Sequence, residues 1–118
     1  MEHIADEILR EAAALLAIDS PTGYTRQAAE YVAEALRKLG FSPAITAKGG
    51  VLVCVNEGCP GGEGGLLLEA HLDTLGAMVA EIKPNGRLRL TPLGGLNANN
   101  TEAENVRLAT RSGKVFSG

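Results

Sequence analysis

The hydrophobic pattern of this chain changes period once, and that change limits the folds it can adopt. Apolar residues recur at helical spacing from Ile4 to Leu16 and again from Ala28 to Leu39, where Gly40 suits a helix end. From Ala44 onward, short aliphatic runs separated by turns are typical of strands. The sequence therefore predicts an α/β fold in which two helices pack on a sheet.

The strand signals also predict a division of the chain. Residues 44–55 indicate a hairpin, and the apolar run Leu66 to Leu68 is typical of a central strand buried on both faces. Beyond Gly76 only strand patterns follow, over 77–82, 87–91, 106–110 and 114–116. We therefore predict an α/β part over residues 1–75 and the first strands of a β-rich module over 76–118. The strand pattern is still running at Gly118, so we expect the chain to be truncated.

Charge and composition exclude several classes of partner. The net charge of −3 and the lack of a Lys/Arg cluster argue against binding to nucleic acid or to an anionic membrane. No apolar stretch approaches the roughly 18 residues of a spanning helix, and the acidic start does not resemble an export signal. We therefore expect a cytoplasmic protein, with Cys54 and Cys59 reduced and a disulfide as the alternative.

The residues with the most chemical potential follow the predicted central strand. Strand alternation places His71 and Asp73 on one face, where Asp73 could hold the second nitrogen of a metal-binding imidazole. Asp73 could instead orient a metal-bound water or a catalytic carboxylate. A His-x-Asp pair alone is also common as a structural hydrogen bond. Glu69 shares the same alternation, as a neighbour of a metal pocket or as a structural carboxylate, whereas His3 is expected to be solvent-exposed.

Residues 67–79, with the sequence LLEAHLDTLGAMV, resemble the motif of the glutamyl, or deblocking, aminopeptidases that assemble into tetrahedral particles. Other segments agree in order and spacing. Residues 20–23 are similar to that family's early loop and residues 48–51 to its first hairpin. Residues 92–95 and 111–115 resemble the entry to its inserted β-domain. The resemblance covers nearly the whole chain.

The resemblance implies a mechanism and a site. In that family two divalent ions, usually zinc or cobalt, bridge a nucleophilic water, and a glutamate acts as general base. His71 would ligate one ion, and Asp73 would be the catalytic aspartate that supports it. Residues 1–75 would be the N-terminal part of the catalytic domain, and residues 76–118 the start of an inserted, dimerisation-type β-rich domain.

The same resemblance implies which parts of the active site the chain lacks and which substrate and partners the full enzyme has. The remaining ligands and the general base lie downstream in such enzymes, so we expect this chain alone to be inactive and to hold no metal tightly. The full enzyme would act on peptides and form a homo-oligomer. Two alternatives stay open. The first is the related acetylornithine deacetylase and carboxypeptidase family, which often has threonine at the position of Thr74, where the aminopeptidase family commonly has an acidic residue. The other alternative is a non-catalytic interaction module on the same fold.

Overall fold

The computed structural model describes residues 2–56 and 65–118, and its fold is α/β. The chain divides into two compact units, Met1–Thr74 and Leu75–Gly118. The first unit holds both α-helices and one hairpin, and the second holds two further hairpins. The assignment of these units to a catalytic and an inserted domain stays a prediction.

The two predicted helices are present in the first unit. Helix α1 spans Glu2–Leu16 and helix α2 spans Arg26–Lys38. Gly40 follows α2 with a φ of +90°, a left-handed conformation that glycine adopts without steric cost. The amide of Gly40 donates to the carbonyl of Arg37 at 2.9 Å, and the amide of Phe41 donates to the carbonyl of Leu36 at 3.1 Å. These two bonds form a Schellman motif and satisfy carbonyls that the helix end would leave unpaired.

A short hairpin accompanies the helices. Strands β1, Ala44–Ile45, and β2, Val51–Leu52, pair antiparallel, which confirms the predicted hairpin in a shorter form. Helix α2 contacts both strands and helix α1 contacts α2, so the helices form a layer beside a two-stranded sheet. The sheet is smaller than the sequence predicted, because the described strands pair only as separate hairpins.

The prediction of a buried central strand at Leu66 to Leu68 is wrong. These residues adopt no strand, and the three leucines are 85%, 71% and 84% exposed. A strand buried on both faces needs a hydrogen-bonded neighbour and a covering layer on each side. No pairing to this run exists within the part of the chain that the structure describes. The apolar sequence reports a tendency to be buried and cannot show what buries it.

The second unit consists of the strands that the sequence predicted after Gly76. Strands β3, Gly76–Ile82, and β4, Leu88–Leu93, form one antiparallel hairpin with an irregular register between Val79 and Glu81. Strands β5, Arg107–Ala109, and β6, Val115–Ser117, form another. A 3₁₀ turn, Ala98–Thr101, lies between the hairpins.

Little of the described chain is buried. The buried apolar residues among residues 2–56 and 65–118 are three alanines of α2, Ala28, Ala29 and Ala33. Their small side chains let other backbone segments approach the helix but remove little apolar area from water. No helix in the described ranges is long and apolar enough to cross a membrane.

The expectation of reduced cysteines is wrong for Cys54, which is disulfide-bonded. Cys59 lies outside the described residues. The prediction rested on the compartment expected for the protein. The sequence does not give the distance between sulfur atoms, so it could not decide whether Cys54 is reduced or disulfide-bonded.

Candidate metal centre

A backbone clamp joins the turn before α2 to the segment that carries the candidate site. The amide of Thr74 donates to the carbonyl of Ser20 at 2.9 Å, and Pro21 and Thr74 form a parallel bridge. The Ser20 hydroxyl also donates to the carbonyl of Leu72 at 2.8 Å, and Ser20 is only 2% exposed. Ser20 therefore bonds the backbone on both sides of Asp73.

The turn itself follows from its sequence. The amide of Tyr24 donates to the carbonyl of Pro21 at 2.7 Å, which closes a four-residue turn. Gly23 occupies the third position with a φ of +87°, a conformation that this class of turn requires and that glycine provides. The turn places Thr22 over the site segment.

Three side chains form a linked series of hydrogen bonds at this clamp. The Thr22 hydroxyl donates to Asp73 Oδ2 at 2.8 Å. The other carboxylate oxygen, Asp73 Oδ1, lies 3.2 Å from His71 Nδ1, and the main-chain oxygen of Asp73 lies 3.1 Å from the same nitrogen. The structure thus brings His71 and Asp73 together, although no strand places them there.

The surroundings of His71 Nδ1 determine the tautomer of the imidazole. Its two neighbours, a carboxylate oxygen and a carbonyl oxygen of Asp73, can only accept, so Nδ1 carries the proton. The neutral ring then keeps its lone pair on Nε2. An imidazole held in this way through one nitrogen is the usual form of a histidine that binds a metal ion through the other. The side chain is 87% exposed in this chain, so solvent reaches the ring.

The same contacts keep Asp73 ionised. The hydrogen bond from Thr22 lowers the pKa of the Asp73 carboxyl below its ordinary value, and partial desolvation opposes this effect. The contact with His71 lowers the pKa further. A carboxylate that stays charged is the stronger acceptor for the imidazole N–H.

The donor set fits one metal ligand and not a complete site. Within residues 2–56 and 65–118, no group of three or more histidine, cysteine, aspartate or glutamate side chains could hold a metal ion. Glu69 is exposed and does not join His71 and Asp73 in such a group, and His3 is exposed as expected. The chemistry of the Nδ1-protonated imidazole suits a single metal bond through Nε2.

Sequence reasoning missed Ser20 and Thr22 as members of this arrangement. The sequence of residues 20–23 indicates only a loop that is similar to one in a known family. Thr22 and Asp73 are separated by 51 positions, so no local pattern pairs them. The turn composition of Ser-Pro-Thr-Gly is the one available signal, because it predicts a rigid turn that carries two hydroxyl side chains.

Comparison with known proteins gives consistent results. The sequence model of the M42 glutamyl aminopeptidase family matches residues 49–118. A Bacillus subtilis (strain 168) protein named aminopeptidase YhfE is 37% identical over 114 residues, which cover 95% of this chain and 31% of that protein. A glutamyl aminopeptidase of Lactococcus lactis subsp. cremoris (strain MG1363) is 31% identical over 111 residues, which cover 92% of this chain and 30% of that protein. The chain therefore spans about a third of the length of these relatives.

Proposed function

Because the chain belongs to the M42 family of glutamyl aminopeptidases, we propose that it forms part of a metal-dependent aminopeptidase in which His71 ligates one divalent ion. The observation that carries the proposal is the contact of His71 Nδ1 with two acceptor oxygens of Asp73, at 3.1 Å and 3.2 Å. This contact leaves Nε2 as the nitrogen for a metal ion. The family match and the two aminopeptidase relatives support the class of reaction.

Asp73 has a defined chemical part in this proposal. Its carboxylate accepts a hydrogen bond from the Nδ1–H of His71, which fixes the tautomer and raises the basicity of Nε2. Two divalent ions, zinc or cobalt, would supply an activated water as the nucleophile when they are bound. We assign Asp73 as the catalytic aspartate, whose part is to hold the metal ligand His71 through the hydrogen bond to Nδ1.

The other parts of the proposal concern the complete site and its surroundings. The described residues bring one imidazole and one carboxylate together, so we expect the 118-residue chain alone to be inactive. The substrate would be the N-terminal residue of a peptide. Met1–Thr74 would belong to the catalytic domain, and Leu75–Gly118 would begin the inserted β-rich domain. A cytoplasmic location stays a prediction.

The match to the aminopeptidase family favours this function over the deacetylase and carboxypeptidase family that Thr74 suggested. Thr74 takes part in the backbone clamp by donating its amide to the Ser20 carbonyl, and any residue except proline provides such an amide. Its identity therefore has no bearing on the geometry described above.

A chimeric enzyme tests the proposal directly. This chain would replace the matching segment of the Bacillus subtilis relative, and hydrolysis of amino-acid anilides would be measured with zinc or cobalt present. We expect the chimera to be active and His71→Ala to lower the rate by more than about 100-fold, since even the outer partners of metal ligands are worth roughly 10- to 100-fold.

The second histidine of the chain provides the matched control. His3 lies in α1 and is exposed, so His3→Ala should leave the rate unchanged. Equal rates for His71→Ala and the unsubstituted chimera would contradict the ligand assignment. A folded, metal-loaded chimera that hydrolyses no anilide would contradict the proposed activity.

A further inference from the structure

We propose that Thr22 is a positioning residue of the candidate metal centre: its hydroxyl holds the Asp73 carboxylate in the orientation that keeps the His71 imidazole protonated on Nδ1. The consequence for metal binding rests on the proposed function. The positioning itself can be measured in the metal-free chain, so the two proposals can fail separately.

The two oxygens of the Asp73 carboxylate have different partners. Oδ2 accepts from the Thr22 hydroxyl at 2.8 Å, and Oδ1 lies 3.2 Å from His71 Nδ1. The terminal torsion of an aspartate side chain is broad and roughly two-fold, so the carboxylate does not hold one orientation without a partner. The Thr22 bond is the shorter of the two contacts. It fixes the carboxylate plane and leaves Oδ1 facing the imidazole.

Solvent makes this restraint necessary. The Asp73 side chain is 42% exposed and the His71 side chain is 87% exposed, so water competes for both ends of their contact. An exposed hydrogen bond between two mobile side chains is weak, because ordering them costs conformational entropy. A third group that has already ordered the carboxylate lowers this cost.

Thr22 can act in this way because its backbone is held in place. The ring of Pro21 fixes the φ torsion of that residue. The turn closes through the hydrogen bond from the Tyr24 amide to the Pro21 carbonyl at 2.7 Å. Ser20 joins the turn to the backbone on both sides of Asp73, through the carbonyl of Leu72 and the amide of Thr74. The donor hydroxyl and the carboxylate are therefore parts of one fixed unit, although 51 positions separate them.

The experiment compares the tautomer of His71 in the wild-type chain, Thr22→Val and Thr22→Ser. Valine keeps the shape of threonine without the hydroxyl, and serine keeps the hydroxyl without the methyl group. Long-range proton–nitrogen NMR spectra at about pH 9, where imidazole is neutral, report which ring nitrogen carries the proton. His3 is the internal reference, because its spectrum should be the same in all three chains.

We expect the wild type and Thr22→Ser to show His71 protonated on Nδ1. In Thr22→Val the ratio of the Nδ1–H to the Nε2–H form should fall by about two-fold or more, which is the effect of weakening one hydrogen bond at the lower limit of its net strength. The Nε2–H form gains because it is the more stable one for a histidine side chain in water.

Two results would overturn the proposal. An unchanged tautomer ratio in Thr22→Val would show that the hydroxyl does not position Asp73, and an equal change in Thr22→Ser, which keeps the hydroxyl, would show that the change does not come from the loss of the hydroxyl. If Thr22→Val does not fold, three-bond couplings in the wild type decide the question. A single side-chain rotamer at Thr22 supports the proposal, and averaging among rotamers overturns it.

The outcome is independent of the test of the proposed function. A tautomer change in Thr22→Val together with a fully active His71→Ala chimera would retain the positioning role and remove the metal ligand. An unchanged tautomer ratio in Thr22→Val together with an inactive His71→Ala chimera would retain the metal ligand and remove the positioning role.

Discussion

Ser20 is the one buried polar residue among those described, and its contacts explain why the candidate site has a fixed backbone. Both of its oxygen atoms bond the segment around Asp73, one as a hydroxyl donor to Leu72 and one as a carbonyl acceptor from Thr74. A buried serine in this setting is satisfied, so it contributes stability without leaving an unpaired group.

This arrangement predicts the effect of removing one hydroxyl. Ser20→Ala leaves the carbonyl of Leu72 without its donor, and we expect the free energy of unfolding to fall by about 1 kcal/mol. Urea denaturation followed by circular dichroism measures the change. Ser42→Ala is the control, because Ser42 is exposed before β1 and its substitution should stay within about 0.5 kcal/mol of the wild type. Equal losses in the two variants would contradict the clamp.

Among the site residues, only the pair His71 and Asp73 could be predicted to lie together. Their spacing suggested a shared strand face, but the structure joins them without a strand, through the side chain and the main-chain oxygen of Asp73. The expectation of proximity thus rested on the wrong element. Thr22 could not be predicted as a partner, because its contact with Asp73 exists only after the turn and the site segment have met.

At the scale of elements, a side-chain bond links the two helices. The Tyr31 hydroxyl on α2 donates to Glu11 Oε2 on α1 at 2.9 Å. This bond lowers the pKa of Glu11, with Arg10 acting in the same direction, and raises the pKa of Tyr31. The contribution of Glu11 to stability is therefore present above its unfolded pKa and is lost as the pH falls through the lower folded value. That of Tyr31 is present below its unfolded pKa and is lost as the pH rises through the higher folded value.

The link predicts a measurable change in the titration of Glu11. Tyr31→Phe removes the donor, so the pKa of Glu11 should rise toward the ordinary value, while Arg10 keeps it from returning fully. Carbon-detected NMR of the Glu11 carboxyl during an acid titration gives the pKa. Tyr24→Phe removes an exposed hydroxyl from the turn before α2 and should not change it. A Glu11 pKa that is the same in wild type and Tyr31→Phe would rule out the link.

The sequence predicts best the elements whose causes are local. Helical spacing and a glycine at position 40 were enough to find α2 and its end, and turn residues were enough to find the hairpins of the second unit. The run from Leu66 to Leu68 failed because a buried strand depends on neighbours that the run itself does not specify. Local signals therefore gave the elements correctly and the central sheet incorrectly.

At the scale of the molecule, many apolar side chains remain in contact with water. Four of them lie along α1 and three lie in the run before His71: Ile4, Ile8, Leu9, Leu16, Leu66, Leu67 and Leu68. Each two-stranded sheet also has edges that no other described strand covers. Exposed apolar area and open strand edges both favour association between chains.

We therefore expect the chain to self-associate, with strands between Ala77 and Phe116 pairing across copies. Light scattering over a range of concentrations should show an average mass that rises with concentration. The mass should change little with salt, because the chains would associate through apolar contacts and backbone hydrogen bonds and not through ion pairs. A monomer of constant mass throughout the range would be incompatible with this expectation.

The metal content of the chimeric enzyme tests whether His71 is a metal ligand. Metal per chain would be measured after removal of loosely bound ions, for the chimera with the wild-type segment and with His71→Ala. We expect His71→Ala to lower the content by about one ion per chain, because a catalytic zinc site has about three protein ligands and the loss of one weakens the binding of its ion. An unchanged metal content in a folded His71→Ala chimera would rule out His71 as a metal ligand.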